Sequence, residues 1–463
     1  MKNYLPILLL LTLIYSASLG QKQYDNWYFG RYRAMKFTNS GVVPITGSPL
    51  ISAENCSSIS DSSGNLLFFT NGEFIWDRNH NLMPNGLGLL GWGDVQQGVL
   101  IVPLPYNNNV YYVFTIGNPT GPYTKELRYS VVDMTLNNLL GDVSQKNILL
   151  DVDVTEKLTA TLHANGQDFW IVEHPFTSNK FKSFLLNSNG LDTIPVTSLA
   201  GLNPSTISFT GGIKISNNGC WLISTIRSPI SGKLELFHFD NNTGIVSGNA
   251  FLNFSNPYGL EFSPNSNRFY VSRNATSPIF QFDLTAGNDS LILQSGIPIS
   301  DTIQGVTLSM QLAPDNKIYF VTASDSTIGA IRQPDLLGFN CDVNEYEIYF
   351  TDTISSNSSS LPNLFNLLYT GTLTCSPQTN IDFVEPENLS ISFPNPFTNQ
   401  LTFQMFKNEP TTVSLYNSLS QLIFQIPFTK SVAINTEHLA KGIYFYNLRS
   451  NNATLKTGKV VKQ

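Results

Sequence analysis

A tight turn of Asx, Ser and Gly followed at once by an apolar run recurs six times in this chain, and it restricts the fold more than any other feature. Asp61-Ser62-Ser63-Gly64 precedes Leu66-Leu67-Phe68-Phe69, and Asn107-Asn108-Asn109 precedes Val110-Tyr111-Tyr112-Val113. Asn165-Gly166 leads to Phe169-Trp170-Ile171-Val172, and Asn217-Asn218-Gly219 to Trp221-Leu222-Ile223. Asn265-Ser266-Asn267 then precedes Phe269-Tyr270-Val271, and Asp315-Asn316 precedes Ile318-Tyr319-Phe320-Val321. Asx and Gly tolerate positive φ and bond their own backbone, while the apolar runs suit strands buried on both faces. The spacing of roughly 45–57 residues is the period of a propeller blade.

After each unit comes an amphipathic pair of strands. Leu234-Glu235-Leu236-Phe237-His238-Phe239 running into Asp240-Asn241-Asn242-Thr243-Gly244 is one example. Alternation ending in an Asx/Gly turn reads as a hairpin covered on one face. Six units are complete. A hairpin at 34–43 lacks inner strands, and strands at 346–350 and 361–370 lack an outer hairpin. The leftovers make a seventh blade, which closes the ring and removes free sheet edges, with six or eight blades as the alternatives because the spacing is irregular. The fold expected is all-β: a seven-bladed β-propeller over 21–375, a linker at 376–388, and a small Ig-like β-sandwich at 389–463. The last part has seven short strands about ten residues apart.

Residues 1–20 read as a secretory signal peptide: Lys2, an apolar stretch from Leu5 to Tyr15, then Ser16, Ala17, Ser18 and Gly20. This predicts export to the periplasm. In an exported chain, four cysteines favour disulfides over metal. Cys341 and Cys375 flank the closing strands and are expected to pair, a bridge that stabilises by roughly 4 kcal/mol for a loop of about 35 residues. Cys56 and Cys220 are expected as thiols, a pair across the ring being the alternative.

The C-terminal stretch resembles the type A sorting domain of the Bacteroidetes type IX secretion system. The residues that carry this are Phe393-Pro394-Asn395-Pro396-Phe397, Val413-Ser414-Leu415-Tyr416-Asn417, Gly442-Ile443-Tyr444, and the ending Lys459-Val460-Val461-Lys462. Phe393 stands where the family usually has Tyr. The resemblance makes Pro394, Asn395, Pro396, Gly442, Tyr444, Lys459 and Lys462 the sorting signal. It implies passage through the type IX machinery, cleavage by its sorting protease, and release or attachment to surface lipopolysaccharide. The repeat region is similar to exported Bacteroidetes propellers of unassigned activity, through Asn26-Trp27-Tyr28-Phe29-Gly30, Cys56-Ser57-Ser58, Met83-Pro84-Asn85-Gly86 and Leu361-Pro362-Asn363-Leu364-Phe365.

Chemistry is harder to find. A net charge of −7 with no Lys/Arg cluster argues against nucleic acid. No nucleophile elbow, zinc helix or phosphate loop occurs. His80, His163, His174, His238 and His438 are scattered and read as turn residues, and the Asx turns lack the alternating carboxylates of a calcium loop. No cofactor or metal is expected. Non-repeat loops on a rigid ring are where ligands bind, so Trp92, Asn85, Gln96 and Gln97 are the candidate binding residues, lining one mouth of the ring. The reading is a binding protein for an unidentified glycan or protein. The alternatives are a polysaccharide hydrolase or lyase, and a structural surface-layer component.

Overall fold

The computed structural model describes residues 22–118, 125–301, 303, 305–322, 327–350, 360–365, 375, 396–404, 410–417, 421–450 and 453–463. The segments read as a signal peptide and as a linker, together with Pro394 and Asn395, lie outside them. The chain divides into two compact units, Met1–Ser376 and Pro377–Gln463.

Among the described residues the first unit holds seven antiparallel sheets. The first has three strands, Asn26–Phe29, Arg33–Thr38 and Gly41–Ile45. Each later sheet is laid down in chain order from its first strand: Ser57–Ser60, Val99–Leu104, Val154–Leu162, Ile213–Ile215, Pro257–Phe262 and Thr307–Leu312. These first strands pack against one another in sequence around an axis. The seventh sheet returns to the first, where Tyr319 meets Trp27 at 5.9 Å and Phe37 at 5.6 Å between ring centroids. Phe350 also packs on Phe29, with the Arg33 guanidinium over its ring. Sheets arranged and closed in this way make the unit propeller-like.

Burial explains the strand order. Every residue of Val154–Leu162 and Pro257–Phe262 is buried, whereas Ile245–Asn253, the last strand of its sheet, is mostly half-buried or exposed. The six recurring apolar runs are the second strands, not the innermost ones. Each preceding turn is built by its Asx side chain. Asp61 Oδ1, for example, accepts from the Ser63 and Asn65 amides at 2.8 and 2.9 Å. Gly64, at φ +83°, completes that turn because a Cβ there would lie 2.4 Å from Asp25 Oδ2.

Three expectations are corrected. Val343–Tyr349 is the fourth strand of the seventh sheet, pairing with Thr327–Ile331, and does not complete the first. Residues 361–365 form no strand, and 366–370 lie outside the described residues. Cys375 pairs with Cys220 and not with Cys341, across 155 residues with Cα atoms 5.3 Å apart. Cys341 is walled into an apolar cluster with Ile299, Ile318 and Ile331, and Cys56 is the other buried thiol.

In the second unit, Gln400–Gln404 pairs with Ser431–Asn435, and a four-stranded sheet runs Leu422–Phe428, Thr411–Tyr416, Gly442–Ser450, Ala453–Lys462. Leu401, Phe403 and Ile434 from the pair share a core with Val413, Leu415, Tyr446 and Leu448 from the four.

Candidate functional site

The ring axis is occupied by the chain itself. Residues 360–365 lie inside, held by bonds from several sheets at once. The Asn363 amide donates to the Val99 and Leu158 carbonyls, both at 3.1 Å, and its backbone N–H donates to Cys56 O at 2.8 Å. Ser57 Oγ donates to Asn363 O at 3.1 Å. Across the axis, buried Lys214 donates to Gln311 Oε1 at 2.8 Å and Leu364 O at 3.0 Å, and forms an ion pair with Glu261 Oε2 at 3.2 Å. Beside it lies a cavity of about 30 Å³, lined by Gln96, Gln97, Lys214, Tyr258, Gln311 and the Leu361–Asn363 stretch. That volume holds a water molecule or two and no organic ligand.

A second set of side chains, which shares Tyr258 with that cavity, gathers at one mouth of this axis. Glu54, Asp94, Glu156, Arg227 and Tyr258 come from five successive sheets or the loops that lead into or out of their strands. Two zipped loop pairs position them. The Glu54 amide donates to Gly93 O at 2.9 Å, and the Asn55 side chain donates to Trp92 O at 3.3 Å, which joins the loops carrying Glu54 and Asp94. The Arg227 amide donates to Thr210 O at 2.9 Å, and the Glu156 amide to Phe209 O at 3.4 Å. Gly211, at φ +149°, is required between them, since a Cβ there would meet Thr225 O at 2.0 Å. The Arg227 guanidinium lies 5.2 Å from the Tyr258 ring centroid.

The electrostatics of this mouth are unusual. Burial, with the Glu54 charge added to it, pushes the Glu156 carboxyl up to about 8. Burial also lifts Glu54 above the ordinary carboxyl value, opposed by the Tyr258 hydroxyl and Arg227. Tyr258 is held well above the usual phenol value, first by burial and then by Glu54. Glu156 is 5% exposed and Tyr258 fully buried; Glu156 Oε2 and Gln96 Oε1 have no hydrogen-bond partner, while the Tyr258 hydroxyl bears on Glu54.

The four residues expected to line a mouth divide. Gln96 and Gln97 are cross-ring struts. Gln97 clasps the Ile213 backbone, donating to its O at 2.9 Å and accepting from its N–H at 2.7 Å, and Gln96 Nε2 donates to Tyr258 O at 2.8 Å. Trp92, 39% exposed, shares the loop of Asp94. Asn85 belongs elsewhere, on the last strand of the second sheet with its amide on Asp142 at 3.0 Å. Sequence reading missed Glu54, Glu156, Arg227 and Tyr258. The available signal was positional. Glu54 and Asp94 precede, and Glu156 and Tyr258 begin, the strand that comes before a recurring turn. The histidines do not gather, and among the described residues no three His, Cys, Asp or Glu side chains could hold a metal.

In the second unit the motif residues described do converge. Phe397 N–H donates to Val461 O at 2.8 Å, Tyr444 packs 6.3 Å from the Phe397 ring, and Lys462 Nζ donates to Thr398 O. Gly442 pairs with Lys462 on the adjoining strand. Lys459 and Pro396 are exposed. Residues 392–463 match the family described as the secretion system C-terminal sorting domain. This tail implies interaction with the type IX secretion machinery and places the protein at the cell surface or outside the cell.

A search of curated proteins finds no match. Among solved structures, the chain is similar to a putative 6-phosphogluconolactonase from Bacteroides fragilis, at 8% identity and TM-score 0.41, covering 73% of this chain and 97% of that one. It is similar to the extracellular domain of a putative hybrid two component system from B. thetaiotaomicron, at 12% identity and TM-score 0.38, covering 96% and 56%. The Cps50 (Swd1) β-propeller domain from Myceliophteria thermophila gives 10% identity and TM-score 0.37, covering 65% and 94%. None of the three reaches a TM-score of 0.5, and no activity follows from them.

Proposed function

We propose that this chain is an exported binding protein. A seven-bladed propeller, spanning 21–375, presents a ligand site at one mouth of its plugged axis. A linker at 376–388 joins it to an Ig-like sorting domain at 389–463. The signal peptide at 1–20 takes the chain to the periplasm. The tail takes it across the outer membrane and is then cut off by the sorting protease, with release or attachment to surface lipopolysaccharide. The observation that carries the binding reading is the gathering of Glu54, Asp94, Glu156, Arg227 and Tyr258 from five successive sheets at one end of the axis, where burial lifts Glu54 and Glu156 above the ordinary carboxyl range. Residues 360–365 lying in the axis support the same reading, because they leave the ends of the ring as the places where an outside molecule meets it.

The test is capture on an array of glycans and surface proteins by the full chain and by Glu156→Ala. Capture that disappears in the variant supports the reading, and capture indifferent to it sinks it. For export, deleting 389–463 is expected to hold the chain in the periplasm. Truncated protein still cleaved by protease added outside the cells overturns that part.

A second reading, a polysaccharide hydrolase or lyase, has one observation in its favour. A carboxyl that stays protonated at neutral pH beside other carboxylates is the pairing used in acid–base cleavage. Release of reducing ends or unsaturated products from a polysaccharide panel, lost in Glu156→Gln, would establish it.

A further inference from the structure

We propose that the outward face of the four-stranded sheet in the second unit is the surface by which the type IX machinery holds this tail. The partner it fits is a protein surface with an apolar centre and an acidic rim. This rests on the reading of the tail as an export signal and adds where that signal is displayed.

The sorting motifs lie on strands, so their residues alternate between two faces. Inward, Tyr444 packs on Phe397 and donates its hydroxyl to Ala440 O at 2.8 Å, and Val460 joins the same core. Lys462, also buried, donates to Thr398 O. Packing accounts for these residues. Their neighbours turn the other way. Register sets Leu422 opposite Tyr416, Tyr416 opposite Phe445, and Phe445 opposite Lys459, so one row crosses all four strands. Ile443, two places along from Phe445, faces Val461. Leu422 is 52% exposed, Ile443 48% and Phe445 46%. Apolar side chains left in water contribute nothing to folding, and a contiguous set rimmed by polar groups marks a protein interface.

Charge selects the partner. Residues 392–463 hold seven Lys or Arg against two Asp or Glu, in a chain whose net charge is −7. Arg449 and Lys459 are exposed on the outward side of the sheet, and exposed Lys441 immediately precedes the strand that carries Ile443. An apolar centre with a basic rim is complementary to an apolar centre with an acidic one. The family match already implies a protein partner for this tail, the secretion machinery. An anionic lipopolysaccharide headgroup would engage the basic rim and leave the apolar row in water.

The experiment follows the full chain in cells that carry the type IX machinery, by its accessibility to protease added outside. Ile443→Ser with Phe445→Ser should hold the chain in the periplasm, the outside fraction falling about tenfold. The purified double variant should keep the parent's urea midpoint. Lys441→Glu should lower the outside fraction about threefold through loss of charge complementarity. Lys430→Glu, beyond the opposite end of the sheet, should leave it unchanged. Parent-level export of the double variant and of Lys441→Glu, with a 389–463 deletion held inside, overturns the face and leaves the tail as the signal. A deletion that still reaches the outside overturns the export reading itself. Parent-level export followed by loss from the cell surface into the medium assigns the face to lipopolysaccharide and overturns the machinery as its partner. Should the double variant unfold early, Lys441→Glu decides alone, and its parent-level export overturns the proposal.

Discussion

Inside the ring, Lys214 donates to Gln311 and Leu364 and faces Glu261, and Asn363 ties residues 360–365 to three sheets. At the mouth of the same axis, burial lifts Glu54 and Glu156 above the ordinary carboxyl range. Unpaired buried atoms do not separate the two layers, since Asn363 Oδ1 inside is unpaired, as are Glu156 Oε2 and Gln96 Oε1 at the mouth. Charge balance does. Inside, one ammonium faces one carboxylate, whereas at the mouth Glu54, Asp94 and Glu156 gather about Arg227. Like charges brought together out of water raise one another's pKa, so the mouth is the layer whose stability depends on pH.

That contrast can be broken by measuring stability, beginning with the largest effect. Replacing Cys220 and Cys375 by Ser frees the chain just beyond the plug. For a crosslink spanning 155 residues, urea denaturation should show a loss of about 5 kcal/mol. Lys214→Met removes the ammonium that faces Glu261 in the ring interior and leaves that carboxyl group only the Phe262 and Leu312 backbone N–H groups. Its expected cost is about 3–5 kcal/mol by the same measurement. Asn363→Leu strands the Val99 and Leu158 carbonyls, and should cost about 1–3 kcal/mol.

At the mouth the expected sign reverses. Glu156 is neutral in the fold up to about 8 but ionises in the unfolded chain above its ordinary value of 4.5. Between those values the unfolded chain holds fewer protons, so stability falls as pH rises. This one group contributes a slope approaching ~1.4 kcal/mol per pH unit. Glu156→Gln removes that contribution, and its urea midpoint should gain on the parent from pH 5 to pH 8. Lys157, pushed down to about 8 by burial, contributes the opposite slope from there to its ordinary value of 10.5. The smallest effect is Tyr258→Phe, which deletes the hydroxyl beside Glu54 and should cost about 0.5–1.5 kcal/mol. A mouth variant that costs as much as Lys214→Met would show that the mouth, too, is structural.

The six recurring turns were legible because their determinants lie within five residues: an Asx side chain and its own backbone, joined in three of the six by Gly64, Gly166 or Gly219. Tail motifs such as Gly442-Ile443-Tyr444 were legible for the same reason. The innermost strands were not, since Ser57–Ser60 and Ile213–Ile215 are short and carry Ser or Lys, and nothing local says they are buried. Cysteine pairing was misread because sequence proximity favoured Cys341 for Cys375, while packing enclosed Cys341 in an apolar cluster and brought Cys220 alongside.

By itself the sequence determined periodicity, strand type, turn positions and the sorting tail, all set by interactions between near neighbours in the chain. Only the tertiary structure decided that 360–365 fills the axis and that Glu54, Glu156, Arg227 and Tyr258 meet at one mouth. Those positions span about two hundred residues, and only closure of the ring removes water from between them and lets their charges and unpaired atoms act on one another.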